Sequence, residues 1–223
     1  MPAALLDSAH DLVAPLVFRR QSLPSAHQHG RTRVMVGLVG PPGSGKSTLA
    51  EALAARFSQE LGPRAAVAVP MDGFHLSNVE LDRLGLADRK GAPETFDGAG
   101  YVHLLRRLRS DGDELIYAPA YSRVLHESIG GAIPVGPQVR LVVTEGNYLL
   151  VPDQPWAGVK PLLDLAVYLE VPDGARIPGL LRRQRSRGLD EHAARDWVER
   201  SDEANARLVA TTRIYADAVL SRG

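Results

Sequence analysis

The sequence predicts an α/β fold, a mostly parallel sheet with helices on both faces. Three observations carry this. Apolar runs of strand length recur at Val34–Val39, Ala65–Val69, Val139–Thr144 and Leu165–Glu170, with helical periodicity between them. The first passes directly into Gly40-Pro41-Pro42-Gly43-Ser44-Gly45-Lys46-Ser47-Thr48, a glycine-rich turn that opens a helix. Two acids, Asp72 and Glu145, stand just past the ends of two further runs, at the sheet edge where ligands of parallel α/β folds collect.

Composition bounds the rest. At 223 residues the chain suits a single domain with a small appendage. Lys plus Arg balances Asp plus Glu at 26 each, so no global charge favours nucleic acid or an anionic membrane. Cysteine is absent, which excludes disulfides, thiolate nucleophiles and thiolate metal sites. The first residues lack a basic start and a secretory cleavage pattern, and no stretch approaches the length of an apolar membrane span. A cytoplasmic protein, with no membrane or nucleic-acid partner, is expected.

The elements follow in order. Residues 3–19 read as an amphipathic helix, with Leu5, Leu6, Leu12, Val13, Leu16 and Val17 as its stripe; residues 1–20 are expected to pack on the main domain. Gln21 to Thr32 reads as a linker, from Pro24, Gly30 and its polar content. After the Val34–Val39 strand, Lys46 to about Leu61 is helical, with Leu49, Leu53, Ala54 and Phe57 inward. Ala65–Val69 completes a strand–helix–strand unit with a right-handed crossover. Residues 75–97 are irregular apart from a short helix near Ser77–Leu84, and Gly98–Arg109 is helical. The stretch 119–126 is placed outside the regular strands. Pro178–Arg187 reads as a short basic helix, and Asp190 as the cap of a helix running toward Thr212. Ala216–Leu220 is too short for periodicity to decide.

Gly40, Gly43 and Gly45 let the backbone turn tightly and present N–H groups to an anion at a helix N-terminus. Pro41, Pro42 and Ser44 complete the loop, and Lys46 is expected at the β- and γ-phosphates, Ser47 on Mg²⁺ and Thr48 near the α-phosphate. ATP and Mg²⁺ are the implied cofactors. Asp72 can orient an acceptor hydroxyl or take its proton; Glu145 can hold Mg²⁺, directly or through water, or polarise the attacking group. Of the arginines at 182, 183, 185 and 187, the pair Arg182 and Arg185, three apart, is expected to close over ATP and neutralise the transferring phosphoryl. The lid spans 172–189. His75 faces the acceptor or braces the Asp72 loop, and Tyr121 stacks on a planar acceptor or walls a sugar pocket. Arg89 and Arg123 bind an anionic substituent or pair with Asp88, Glu94 and Glu127. Trp156 and Trp197 read as packing residues.

At the segments Met71–Leu76, Arg89–Asp97 and Pro119–His126 the chain resembles the phosphoribulokinase, uridine kinase and bacterial pantothenate kinase superfamily. It is most similar to the branch of nucleoside/nucleotide kinase family proteins and fructose-transport-system kinases. The resemblance covers most of residues 15–220. It implies Asp72 at the acceptor hydroxyl. It implies that Lys90-Gly91-Ala92-Pro93-Glu94-Thr95-Phe96-Asp97 helps build the acceptor pocket, and that Glu145-Gly146 is the family's strand-end pair. His126 matches the histidine that uridine kinases place after their tyrosine, while Arg123 stands where pantothenate kinases have one. Asn205 and Val209 correspond to residues beside the adenine. The resemblance also makes Ala216–Leu220 a last strand, which completes a P-loop NTPase fold with a mostly parallel five-stranded sheet and a small arginine-rich lid.

The expected activity is ATP-dependent transfer of the γ-phosphoryl to a hydroxyl of a small metabolite: a nucleoside, a sugar or a pantothenate-like alcohol. The alternatives are a nucleoside-monophosphate kinase, a regulatory P-loop ATPase without a small-molecule acceptor, and an RNA-linked nucleotide-dependent protein. The chain is expected to be a monomer or a homodimer.

Overall fold

The computed structural model describes residues 2–21, 33–110 and 114–222. Seven strands and seven helices are named in chain order: α1 (Ala3–Gln21), β1 (Val34–Val39), α2 (Lys46–Leu61), β2 (Ala66–Pro70), α3 (Asn78–Leu84), α4 (Gly98–Arg109), β3 (Ile116–Ser122), β4 (Glu127–Val135), β5 (Leu141–Gly146), β6 (Leu165–Glu170), α5 (Asp173–Ser186), α6 (Glu191–Trp197), α7 (Glu203–Thr211) and β7 (Ala218–Ser221). Residues 22–32, read as most of a linker, lie outside the described residues.

The main sheet has five strands in the order β2-β5-β1-β6-β7, and every pairing in it is parallel. Both faces are covered, which explains why β1 and β5 are buried at every position and read as unbroken apolar runs. One face packs Val34, Val36, Leu38, Leu141, Val143 and Val167 against α1 and α2. The α1 stripe is Leu5, Ala9, Val13 and Val17, four residues apart. The other face sets Met35, Val39, Val142 and Tyr168 against α4, the turn after β5 and the aromatic group of Tyr148, Phe96 and Trp156.

Two sequence expectations are corrected. The stretch 119–126 is not outside regular strands: β3 and β4 form an antiparallel hairpin, with a register shift between Ala118 and Ala120. Pro119 falls at that irregularity, where its missing N–H costs no ladder bond; proline and the Gly130-Gly131 pair hid the strand signal. The basic helix begins at Asp173, not Pro178, and carries Pro178 inside it. A proline suits the first turn of a helix and so reads as a start. Here Arg176, paired with Asp173 and Glu203, anchors an earlier turn.

α6 and α7 are joined through a π-helical turn, Val198–Asp202. Such turns reorient the side chains that follow, and this one brings Asp202 against α5.

Candidate active site

Register places the site. Val39 at the end of β1 lies beside Gly146 of β5, and Pro70 at the end of β2 beside Glu145. The glycine-rich loop, Glu145 and Asp72 therefore emerge from three adjacent strands at the same carboxyl edge.

The loop has the shape that its glycines allow. Gly43 and Gly45 have φ of 79° and 89°, conformations that L side chains disfavour. A Cβ on Gly40 would lie 2.6 Å from the Leu169 carbonyl oxygen. Gly45 precedes α2 without any side-chain cap, so the first N–H groups of that helix stay available to an anion. Lys46 is 7% exposed. Its ammonium donates to Pro41 O (3.0 Å) and Ser44 Oγ (3.4 Å), both neutral. Burial lowers its proton affinity, and Glu145 and Asp72 partly restore it. A buried ammonium without an ion-pair partner among the described residues is a seat for an anion.

Ser47 Oγ donates to Glu145 Oε1 at 2.8 Å. Glu145 is 4% exposed. Burial, and then the charge of Asp72, push its carboxyl up to about 7, against Lys46 and the Ser47 hydrogen bond. An oxygen pair of this kind, one hydroxyl and one carboxylate beside a phosphate loop, suits Mg²⁺ that completes its shell from phosphate oxygens and water. Directly before Glu145, Thr144 Oγ1 donates to Val69 O (2.7 Å) and meets Tyr101 Oη (2.5 Å). This stitches β5 to β2 and to α4 beneath the two acids.

Asp72 lies in the single 3₁₀ turn Met71–Phe74 that follows β2. Gly73 packs on the hairpin so closely that a Cβ would sit 2.4 Å from Pro119 O. The Asp72 carbonyl accepts from His75 N (3.2 Å) and meets His75 Nδ1 (2.8 Å). The His75 ring lies 4.0 Å from Phe96 and 4.6 Å from Tyr121, centroid to centroid. Burial lowers its proton affinity, against the pull of Asp72, which favours neutral imidazole at pH 7. Lys90 Nζ donates to Asn78 Oδ1 (2.5 Å) and His126 O (2.7 Å) and sits 5.5 Å from the Tyr121 ring centre. His126 contributes its carbonyl from a left-handed turn, φ 55°. His75, Lys90, Tyr121 and the His126 backbone thus form one group next to Asp72. Arg89 pairs with Glu94 at 2.6 Å, which takes both out of the unpaired charges. Arg123, on the exposed hairpin turn, acts electrostatically on Glu145.

The arginines of α5 fall into two groups. Arg182 is exposed, and Arg185 is exposed and pairs with Glu191 at 3.4 Å. The guanidiniums whose charge reaches Lys46 are those of Arg183 and Arg176. Arg183 donates to Asp202 at 3.0 Å, and Arg176 is held by Glu203 at 2.6 and 2.8 Å. Helical periodicity could have found them. Leu180 and Gln184 are buried with Arg176, and steps of three and four from Leu180 lead to 176, 183, 184 and 187 but not to 182 or 185.

The two residues matched to the adenine side, Asn205 and Val209, are both buried. Val209 is 0% exposed in the core. Asn205 donates to Gly91 O at 3.2 Å, a carbonyl that also accepts from Tyr148 Oη. Asn205 thus meets the segment that holds Gly91, and Val209 lies in the core. Tyr148 carried no role in the sequence reading; its place after the Glu145-Gly146 turn is the signal that could have pointed to it.

Comparison with known proteins agrees with this architecture. The family model described as "Phosphoribulokinase / Uridine kinase family" matches residues 35–223. A curated relative, "Putative uridine kinase" of Schizosaccharomyces pombe, is 34% identical over 196 residues, covering 85% of this chain and 83% of its own. The uncharacterized protein YggC of Escherichia coli is 32% identical over 206 residues, covering 92% and 84%. Among solved structures, a "putative fructose transport system kinase" from Silicibacter sp. TM1040 is 41% identical, with TM-score 0.79 over 92% of this chain and 95% of that one.

Proposed function

Because the chain belongs to the phosphoribulokinase / uridine kinase family, and so is an ATP-dependent small-molecule kinase, we propose that it moves the γ-phosphoryl of ATP to a hydroxyl of an acceptor seated between Asp72 and the hairpin. The acceptor is a nucleoside, a sugar or a pantothenate-like alcohol. The observation that carries this reading is the shared strand edge. A buried ammonium with only neutral partners and a carboxylate emerge side by side, with an aromatic and polar group immediately beyond.

The geometry supports the following roles. The loop amides and Lys46 bind the β- and γ-phosphates, and Lys46 exchanges Pro41 O and Ser44 Oγ for phosphate oxygens. Ser47 and Glu145 would hold Mg²⁺, whose charge would offset that of the phosphates. Asp72 orients the acceptor hydroxyl. As the new O–P bond forms and the bond to the β-phosphate oxygen breaks, the hydroxyl proton passes to the Asp72 carboxylate. Arg183 and Arg176 add positive charge at the transferring group and exclude water. The test is Asp72→Asn in an acceptor screen read by mass. Turnover is expected to fall by roughly 10²- to 10⁴-fold with ATP affinity retained. Wild-type turnover in that variant would sink the assignment.

A further inference from the structure

The order of the strands orients the nucleotide. The sheet runs β2-β5-β1-β6-β7. Asp72 follows β2, Glu145 stands near the end of β5, and the phosphate loop follows β1. With the transferring phosphoryl turned toward Asp72, the inner phosphate and the nucleoside extend the other way, over the ends of β6 and β7. The loop already leans on β6, since Gly40 closely approaches the Leu169 carbonyl. Beyond β6 lies the last strand, and its end carries a cation. Arg222 N donates to Glu170 O at 2.9 Å, one step past the pairing of Ser221 with Glu170.

The Arg222 side chain folds back onto the phosphate loop. A Cβ on Gly45 would lie 3.4 Å from Arg222 Nη1, so the guanidinium tip sits beside the residue that precedes α2. The residue is partly buried, and its side chain makes no hydrogen bond or ion pair with any described residue. Glu170, whose carbonyl holds the Arg222 backbone, has its carboxylate taken by Arg213 Nε at 3.1 Å and Ser221 Oγ at 3.0 Å. The N-terminus of α2 has no side-chain cap and is itself positive. A guanidinium set against a positive helix end, with no anion between them among the described residues, costs free energy that a bound phosphate recovers.

We infer that Arg222 is a donor-binding residue whose guanidinium holds the α-phosphate of ATP from the β7 side, while Lys46 serves the β- and γ-phosphates from within the loop. This rests on the kinase reading above and deepens it. The α-phosphate takes no part in the bond that forms or the bond that breaks. Its contact is therefore equally strong before and during transfer, and it tightens nucleotide binding without accelerating the chemical step.

The test is calorimetric binding of a non-hydrolysable ATP analogue, ADP and inorganic tripolyphosphate to the full chain with Mg²⁺, repeated on Arg222→Met and Arg222→Lys. Steady-state kinetics follow on the acceptor that the mass screen finds, and melts without nucleotide check that each variant folds. Arg222→Gln carries the same comparison if Arg222→Met does not fold. Arg222→Met should raise Kd for all three ligands by roughly 10- to 100-fold. KM for ATP should rise to match, with kcat and the acceptor KM within about twofold of wild type. Arg222→Lys should recover part of the loss. Unchanged Kd values in Arg222→Met overturn the assignment and leave the kinase reading standing. A loss for the two nucleotides but not for tripolyphosphate moves Arg222 to the nucleoside and overturns the phosphate contact. A fall in kcat with KM for ATP unchanged does so too, since Arg222 would then act on the transferring group. Weakened binding of all three ligands by Arg222→Met, with no transfer by the wild type to any acceptor, supports Arg222 at the phosphates and sinks the kinase reading.

Discussion

Replacing Glu145 by glutamine separates the stability of this site from its chemistry. The native carboxyl holds its proton up to about 7, through burial and the nearby charge of Asp72, against an ordinary value of 4.5. In the unfolded chain it ionises near that ordinary value. Between the two, the folded state binds more protons than the unfolded one, so stability falls as pH rises through this window. At about 1.4 kcal/mol per unit the loss amounts to about 3 kcal/mol by pH 8. Glu145→Gln keeps the shape and an oxygen for the Ser47 hydroxyl, at present 2.8 Å away, but never ionises. In metal-free buffer with a chelator, the variant and the wild type should be nearly equal in stability at pH 4. The variant should become the more stable by about 3 kcal/mol at pH 8, a difference in Tm of roughly 6–12 °C for a chain of this size. Thermal melts of both proteins from pH 4 to 8 read this directly, and other titrating groups largely cancel in the difference. Phosphoryl transfer should collapse in the same variant. A stability difference that stays constant across the range would refute the raised carboxyl and the burial and Asp72 charge behind it.

Two further perturbations test the frame around the acids. Gly73→Ala forces a Cβ to within 2.4 Å of Pro119 O, which is backbone and cannot step aside. Destabilisation of roughly 1–3 kcal/mol in urea unfolding is expected, with a raised KM for the acceptor because Asp72 is the preceding residue. An unchanged midpoint would show that the hairpin does not brace this turn. Arg183→Met should reduce kcat strongly, since its charge acts on Lys46, whereas Arg182→Ala and Arg185→Ala should stay near wild type. Steady-state kinetics on the three variants decide it; equal losses would put the lid charge back on the outer pair.

The local parts of this protein were readable from the chain alone. The phosphate loop is a run of consecutive residues whose positive φ angles and helix start depend on neighbours a few positions away. The parallel strands announced themselves because both faces of the sheet are covered, so that β1 and β5 had to be apolar at every position. Asp72 and Glu145 were visible as acids at the ends of such runs. What the sequence left open depends on contacts between distant segments. The hairpin carries proline and glycine, and only its pairing across the Ala118–Ala120 irregularity reveals it as a strand pair. That Arg183 and Arg176 turn inward while Arg182 and Arg185 do not follows from where α5 begins and which side of it is buried, and Glu203 and Asp202, about 20 to 30 residues later, set both. The convergence of Lys90, Tyr121 and His75 joins a strand and two turns that the chain separates widely. Short-range backbone sterics write themselves into sequence, whereas the direction in which a side chain points is decided by the surface it packs against.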